Sequence, residues 1–313
     1  MNAIVTGAAG FIGSTLVKTL LEKGYIVTGI DSLTDYYDVK IKLGNLEQNK
    51  LHPNFKFIHG SIAEMDWGKL YQENEYVFHL AGQPGVRSSW GTDFQIYTKN
   101  NIEATQIMLQ AAIGQSNLKK FVYASTSSVY GDAEQFPTSE TIQPRPISPY
   151  GVTKLAGENL GYLYFKNYNI PFVALRFFTV YGPGQRPDMA FQILFNAIKS
   201  NNAFRVYGDG KQTRDFTFVE DIVHGNCLAA LHAEPGQVYN LGGGSRISML
   251  EVFEYVKDIT GVDFKIDFLP SQKGDAKNTS ADITKAHRVF GYSPSFDLKE
   301  GLKKQWEWNR EKM

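Results

Sequence analysis

The first thirty residues constrain the fold more than any other stretch of the sequence. A short apolar strand at residues 2–6 runs into a glycine-rich turn, a helical pattern of apolar residues follows, and a second apolar strand comes after it. Glycines in such a turn let the backbone approach a pyrophosphate, which the helix N-terminus then binds, while an acid after the second strand accepts from a ribose hydroxyl. The unit therefore predicts a dinucleotide site built on Gly7, Gly10, Gly13 and Asp31.

The acid also indicates which dinucleotide is bound. Asp31 is followed by Ser32, and no arginine is adjacent. A 2′-phosphate would meet the negative charge of this carboxylate, whereas a free 2′-hydroxyl would donate to it. The sequence therefore favours NAD over NADP.

Apolar strands and helical patterns alternate through the first half of the chain. Strands are predicted at 55–58, 76–81, 121–124 and 172–178, with helices at 102–112 and 152–168. This alternation predicts an α/β protein of the Rossmann type, a doubly wound parallel sheet whose ligands bind beyond the C-terminal ends of the strands. Several loops at those ends are rich in hydroxyl groups, which suits carbohydrate recognition but is also typical of ordinary Ser/Thr turns.

The sequence pattern changes after about residue 180, where the predicted elements become shorter and Gly, Pro and cationic residues become more frequent. We expect residues 1–179 to form the NAD-binding domain, with a later segment, about 216–242, returning to it. The remainder of 180–313 is expected to form a smaller, interleaved α/β domain for the substrate. The predicted elements after residue 180 are a strand at 238–241 and helices at 249–260 and 298–310.

Composition excludes several functions. Lys+Arg and Asp+Glu both number 32, so the formal net charge of zero argues against nucleic acid or a membrane surface as partner. No apolar run reaches membrane-spanning length, and no targeting pattern opens the chain. The single Cys227 lies in an apolar helical pattern and is expected to be a buried thiol in a reducing, cytoplasmic compartment. The six histidines lack metal-ligand spacing, so no metal is expected.

The segment Ser148-Pro149-Tyr150-Gly151-Val152-Thr153-Lys154 carries the candidate chemistry. Ser148 suits an N-cap and Pro149 the first helical position, so Tyr150 and Lys154 lie one turn apart on one face of a helix. A phenol with a pKa of about 10 is a weak base at neutral pH, but a nearby cation stabilises the phenolate and lowers that pKa. The pair can therefore deprotonate a sugar hydroxyl, although an isolated pair of this spacing is also typical of an ordinary helix surface.

These features together resemble the extended short-chain dehydrogenase/reductase family, and within it the nucleotide-sugar 4-epimerases. The resemblance runs nearly end to end. Its longest shared strings, at 84–90, 176–183 and 186–190, are similar to those of bacterial UDP-glucuronate 4-epimerases. It implies NAD as cofactor, a UDP-sugar as substrate, and a homodimer formed through the helices at 102–112 and 152–168.

The resemblance also implies a role for each residue of the site. Tyr150 is the expected catalytic base, Lys154 its electrostatic partner, and Thr126 the hydrogen-bond partner of the reacting oxygen. Contacts to NAD are expected from Gly7, Gly10, Phe11, Ile12, Gly13, Asp31, Ser61, Ile62, Leu80, Ala81, Gly82, Asn101, Ser125, Tyr150 and Lys154. Contacts to the UDP-sugar are expected from Arg87, Thr126, Ser127, Ser128, Tyr150, Thr179, Arg186, Arg214 and Asp275.

Two positions depart from the usual family pattern. Ser61 stands where relatives often carry an acid that contacts adenine, and Gln272 stands where galactose-type epimerases often carry a diphosphate-binding arginine. In the uronate-type relatives Gln is also found at the second position. The first departure leaves the adenine contact open, and the second agrees with a uronate substrate.

The loop after Thr126 separates the reaction types. Related 4,6-dehydratases place Asp-Glu after this threonine and uronate decarboxylases place Glu at position 128, whereas this chain has Ser127-Ser128. The resemblance therefore implies 4-epimerisation of UDP-glucuronate to UDP-galacturonate through a 4-keto intermediate. Three alternatives stay open: a 4-epimerase of neutral UDP-hexoses, a UDP-glucuronate decarboxylase, and a dinucleotide-sensing module without catalysis.

Overall fold

A parallel sheet of seven strands forms the centre of the molecule, and the computed structural model describes residues 1–311. Across the sheet the strands lie in the order 237–241, 172–177, 120–126, 76–79, 2–6, 26–31 and 55–59. The strands are β1 Asn2–Thr6, β2 Ile26–Asp31, β3 Phe55–His59, β4 Tyr76–His79, β5 Lys120–Thr126, β6 Phe172–Phe177, β7 Thr179–Tyr181, β8 Phe204–Tyr207, β9 Thr213–Arg214, β10 Phe216–Phe218, β11 Gln237–Leu241, β12 Ile247–Ser248 and β13 Ile266–Leu269.

Helices cover both faces of this sheet. They are α1 Phe11–Glu22, α2 Val39–Lys50, α3 Trp67–Glu73, α4 Phe94–Tyr97, α5 Ala104–Ala111, α6 Pro149–Tyr168, α7 Ala190–Lys199, α8 Val219–His232, α9 Met249–Thr260, α10 Thr284–Phe290 and α11 Leu298–Glu311. Apolar residues of α1 and α8 are buried on one face and those of α5 and α6 on the other. The prediction of a doubly wound parallel sheet is confirmed, because apolar strands buried on both sides need such covering helices.

A separate hydrophobic core lies in the C-terminal part of the chain. Its buried members run from Tyr181 to Leu302 and come mainly from α7, α9 and α11. Short strand pairs border it, namely β7 with β10, β9 with β12, and β8 with β13. The division of the chain at residue 179 stays a prediction, and this separate core is the feature that supports it.

The returning segment has a clear place in the architecture. Strand β11 pairs in parallel with β6 at the edge of the central sheet, and α8 packs against α1.

Cys227, on α8, is buried, and burial raises the pKa of its thiol to about 11. None of the helices in residues 1–311 is long and apolar enough to cross a membrane.

Candidate active site

The candidate site is a deep cleft beyond the C-terminal ends of the central strands. Its volume is about 1320 Å³, whereas a single drug-sized ligand needs about 300–1,000 Å³. Residues of the glycine-rich turn line one end, and residues of the C-terminal part line the other. The cleft therefore has room for a dinucleotide and a second ligand together.

The turn after β1 brings backbone close to backbone. Gly7 has φ +71°, and its N–H donates to the carbonyl of Ile30 at 2.8 Å. A Cβ atom on Gly13 would lie 2.0 Å from the carbonyl oxygen of Gly7. Glycine is thus required at both positions, and the first turn of α1 lies directly against the loop.

Asp31 holds the same loop from the end of β2. Its Oδ2 accepts from the N–H of Ala9 at 3.0 Å, and its Oδ1 accepts from the N–H of Leu33 at 2.8 Å. Each carboxylate oxygen can accept a further hydrogen bond. The acid is therefore placed at the cleft with capacity left for the hydroxyls of a ribose.

Helix α6 begins as the sequence predicts. The side chain of Ser148 caps it by accepting from the N–H of Gly151 at 3.1 Å, and Pro149 occupies the first turn. A Cβ on Gly151 would lie 2.7 Å from the carbonyl of Ser128, so the helix start packs tightly against the loop after β5. Tyr150 and Lys154 consequently both line the cleft.

Lys154 is buried at the floor of the cleft. Its Nζ lies 4.3 Å from the centre of the Tyr123 ring, and a Cβ on Gly82 would lie 3.8 Å from it. Burial lowers the pKa of Lys154 to about 7, while the negative charge of Glu158 acts in the opposite direction. The ammonium form of this lysine is therefore only just maintained at neutral pH.

Tyr150 differs from expectation in its electrostatics. Burial raises the pKa of its phenol, while the charge of Arg186 and the hydrogen bond with Thr126 act to lower that pKa. The expectation that Lys154 lowers this pKa is wrong. Among the protein's own groups, the cation that lowers the pKa of Tyr150 is Arg186, and the desolvation of the phenol outweighs its effect. The chain alone thus keeps this phenol protonated at neutral pH.

Hydroxyl groups form the wall next to Tyr150. Thr126 Oγ1 donates to Ser128 Oγ at 3.2 Å and accepts from the N–H of Ser128 at 3.2 Å. Ser127 and Thr179 lie on the same cleft and are partly exposed. Among the described residues, this wall offers several neutral hydrogen-bond donors and no carboxylate.

Several arginines line the cleft, and two of them are paired with acids. Arg186 donates to both oxygens of Asp188, at 2.9 and 3.0 Å. Arg87 donates twice to Asp275 Oδ2, at 3.1 and 2.6 Å, and its guanidinium lies over a tyrosine ring. Arg214 differs, because its Nη1 donates to two backbone carbonyls, at 2.9 and 3.0 Å.

The cleft brings together all the sequence-predicted site residues except Asn101. Those that line it are Gly7, Gly10, Phe11, Ile12, Gly13, Asp31, Ser61, Ile62, Leu80, Ala81, Gly82, Arg87, Ser125, Thr126, Ser127, Ser128, Tyr150, Lys154, Thr179, Arg186, Arg214 and Asp275.

Asn101 lies behind the wall of the cleft, in a π-helical turn at Thr98–Glu103 that precedes α5. Its amide accepts from the N–H of Gln83 at 2.7 Å and donates to the carbonyl of the same residue and to Thr153. Asn101 is buried and its amide is bonded within the protein, and its contact to NAD stays a prediction.

Several residues of the cleft were not predicted from the sequence. They are Tyr36, Tyr37 and Lys42, near Asp31, and Tyr207, beneath Arg87. Lys42 donates to the carbonyl of Thr34 at 2.6 Å and is buried, although it lies in a polar helix. No pattern in the sequence marks it, because its burial comes from the fold of the loop at 32–38.

Residues 3–242 match the NAD dependent epimerase/dehydratase family. The chain belongs to this family. Among the described residues, no group of three or more His, Cys, Asp or Glu side chains is arranged to hold a metal ion.

Similarity to individual members of the family covers nearly the whole chain. The uncharacterized UDP-glucose epimerase YtcB of Bacillus subtilis is 44% identical over 306 residues, which cover 96% of each chain. The UDP-glucuronate 4-epimerase of Thermodesulfobacterium geofontis is 37% identical over 313 residues, covering 98% of this chain and 96% of the relative.

A solved structure is similar to this protein over the full length of both chains. The UDP-glucuronic acid 4-epimerase of Bacillus cereus, in complex with UDP-glucuronic acid and NAD, has a TM-score of 0.97 at 44% identity, and both chains are covered fully. A tyrosine-to-phenylalanine mutant of that enzyme has been solved in complex with UDP-4-deoxy-4-fluoro-glucuronic acid and NAD.

Proposed function

We propose that this protein is an isomerase, an NAD-dependent 4-epimerase that interconverts UDP-glucuronate and UDP-galacturonate. The observation that carries the proposal is the wall beside Tyr150, where Thr126 and Ser128 present hydroxyl groups and none of residues 1–311 adds an acid. Family membership supports the reaction class, and the relatives named for UDP-glucuronate support the substrate.

The residues of the cleft fit NAD. The close approach of α1 to the loop at Gly7 leaves no space for a side chain, as a pyrophosphate cradle requires. Asp31 would hold the adenosine ribose and Lys154 the nicotinamide ribose. When bound, NAD supplies a reversible hydride acceptor for C4 of the sugar.

Tyr150 is the proposed base for the 4-hydroxyl of the sugar, and the positive charge of bound NAD would favour the phenolate that burial alone disfavours. Its phenol lies at the start of α6 and points into the cleft beside Thr126, whose hydroxyl can hold the same sugar oxygen. Loss of this proton and of hydride from C4 gives a 4-keto sugar. Return of both after the sugar turns over inverts the configuration at C4.

Neutral hydroxyls suit the carboxylate of this substrate. The 4-keto intermediate of a uronate is a β-keto acid, which readily loses carbon dioxide. We assign the carboxylate to Thr126, Ser127, Ser128 and Thr179, which can donate hydrogen bonds to either face of the turning sugar. The UDP part is assigned to the arginines Arg87, Arg186 and Arg214, together with Asp275.

The test is to incubate the purified protein with NAD and UDP-glucuronate, without added reductant, and to identify the product by NMR. UDP-galacturonate is the expected product, and the same mixture should form from UDP-galacturonate. Tyr150→Phe is the matched control, because it removes one hydroxyl from the site.

Other products would overturn the proposal in distinct ways. A UDP-pentose would identify a decarboxylase. Conversion of UDP-glucose to UDP-galactose, with UDP-glucuronate unchanged, would identify an epimerase of neutral sugars. NAD binding with no turnover of either substrate would favour a sensing module.

We also propose a cytoplasmic homodimer. The buried free thiol of Cys227 supports a reducing compartment. Helix α6 supports the dimer, because Val152, Tyr162, Leu163 and Tyr168 on it are each roughly half exposed. Light scattering of the wild type should give twice the mass of one chain, and Leu163→Glu should shift it toward the monomer; a monomeric wild type would refute the dimer.

A further inference from the structure

A buried ion pair lies directly behind Lys154. Glu158 and Arg176 are 5% and 4% exposed, respectively. Arg176 donates from Nε to Glu158 Oε1 at 2.9 Å and from Nη2 to Glu158 Oε2 at 2.7 Å. Such a two-pronged pair keeps both groups charged in an environment that disfavours isolated charge.

The pair joins the elements that carry the site. Glu158 lies on α6 one turn after Lys154, and Arg176 lies on β6 opposite Ser125 of β5. The hydroxyl of Ser125, the residue before Thr126, also donates to Glu158 Oε1. The guanidinium of Arg176 lies 4.6 Å from the centre of the Tyr130 ring.

Both oxygens of Glu158 are therefore engaged away from Lys154. Among residues 1–311, no carboxylate lies within ion-pair distance of Lys154 Nζ. The negative charge of Glu158 nevertheless acts on Lys154 from one helical turn away, and it is the charge that opposes the effect of burial on the pKa of this lysine.

Other groups near Lys154 do not supply a negative charge. The Tyr123 ring lies under it, and burial raises the pKa of that phenol well above its usual value. His79, on β4, contacts Thr6 and Thr105, and burial lowers its pKa to about 3. Tyr150, on the same helix, is kept protonated by burial. Glu158 is thus the negative charge that raises the pKa of Lys154 against the effect of burial.

We propose that Glu158 is a positioning residue whose carboxylate, fixed by Arg176 and Ser125, keeps Lys154 positively charged while leaving its three N–H groups available to a ligand. A direct Lys–Glu contact would also preserve the charge, but it would occupy the ammonium. Because Glu158 is bonded to Arg176, its negative charge acts on Lys154 without occupying the ammonium group. The consequence for turnover rests on the proposed function, whereas the charge state of Lys154 does not.

The direct test is an NMR titration of protein labelled with ¹³C in the lysine side chains. The Lys154 signal is assigned by its loss in Lys154→Arg. In Glu158→Gln we expect the titration midpoint of Lys154 to fall by about one pH unit or more. Glu75→Gln is the matched control, because it removes an ion pair with Lys119 at the N-terminal ends of β4 and β5, away from the cleft, and the midpoint should not move.

A double variant separates charge from structure. Glu158→Gln leaves Arg176 buried without its partner and can destabilise the fold, whereas Glu158→Gln combined with Arg176→Gln removes both charges. We expect the double variant to recover thermal stability while its Lys154 midpoint stays low. An unchanged midpoint in the single variant, or a wild-type midpoint in the double variant, would overturn the proposal.

Kinetics provide a second readout. If the wild type turns over UDP-glucuronate, the alkaline limb of its kcat/KM profile should move to lower pH in the double variant by the shift seen in the titration. A purely structural role would lower the rate equally at every pH and would contradict the proposal. If the wild type shows no turnover, the proposed function fails while the titration still decides the role of Glu158.

Discussion

Replacing Gly13 by alanine tests how the glycine-rich turn binds its ligand. The added Cβ would lie 2.0 Å from the carbonyl oxygen of Gly7 and 2.8 Å from its carbonyl carbon. Neither atom is the end of a flexible side chain, so backbone must move. Since such contacts are essentially never shorter than 3.0 Å, α1 and the loop must separate by about 1 Å.

The cost can be worked out for folding and for binding. Overpacking of this kind costs about 1–3 kcal/mol, against a gain of about 1 kcal/mol from replacing glycine in a helix. A shift of the helix N-terminus also weakens hydrogen bonds to a pyrophosphate, each worth about 1.5–3 kcal/mol when the acceptor is charged. Loss of one such bond weakens NAD binding by about ten- to a hundredfold.

Gly44→Ala is the matched control. It makes the same substitution inside α2, where nothing lies within 4 Å of the added Cβ. We expect it to raise the free energy of unfolding by up to about 1 kcal/mol and to leave NAD affinity unchanged. Both variants can be compared by urea denaturation and by calorimetric titration with NAD.

The reasoning would be refuted if Gly13→Ala bound NAD as tightly as the wild type while remaining folded. That result would mean that the loop can open without losing its contacts to the ligand. A large loss of stability with unchanged affinity would instead show that Gly13 serves packing alone.

Three further predictions concern single side chains. Tyr150→Phe should lower kcat by about 10²-fold or more, the usual contribution of a general base, while calorimetry finds NAD affinity retained; near-full activity would refute the base. Asp31→Ala should raise the Kd for NAD at least about tenfold, since it removes a charged acceptor, and unchanged affinity would exclude the ribose contact. Asp215, which is buried, has its pKa raised to about 6 by burial, so the unfolded chain releases this proton first and the wild type loses stability as pH rises through that value. Relative to the wild type, Asp215→Asn should therefore gain about 1 kcal/mol in urea denaturation between pH 5 and pH 8, and a constant difference would contradict this.

The fold could be predicted largely from local patterns. The unit from β1 to Asp31 has turn glycines, helical periodicity and a terminal acid that all point to one structure, so propensity and tertiary packing agree there. Helix α6 could be predicted from its first residue because Ser148 and Pro149 give separate signals for the same N-terminus.

Other features depend on contacts that are distant in sequence. Residues 98–103 form a π-helical turn, although the apolar pattern nearby predicts a regular helix. Asn101 in that turn bonds to Gln83 and Thr153, and nothing local shows that its amide is taken up within the protein. The pKa of Tyr150 was predicted in the wrong direction because spacing reveals a neighbouring cation but not the burial that opposes it.

The pairing of charges in the cleft indicates that one end binds a diphosphate and the other end binds a sugar. Arg186 and Arg87 each form an ion pair with a carboxylate of the protein. Arg214 donates to backbone carbonyls instead, so its positive charge is available to bind an anionic ligand. Under the proposed function, a diphosphate gains most from this arginine and is held there throughout the reaction. The sugar must turn, and an ion pair to its carboxylate would have to be broken in a buried site, which costs several kcal/mol. Hydroxyl groups such as those of Thr126 and Ser128 avoid that cost, because neutral hydrogen bonds can be exchanged one at a time as the ring rotates.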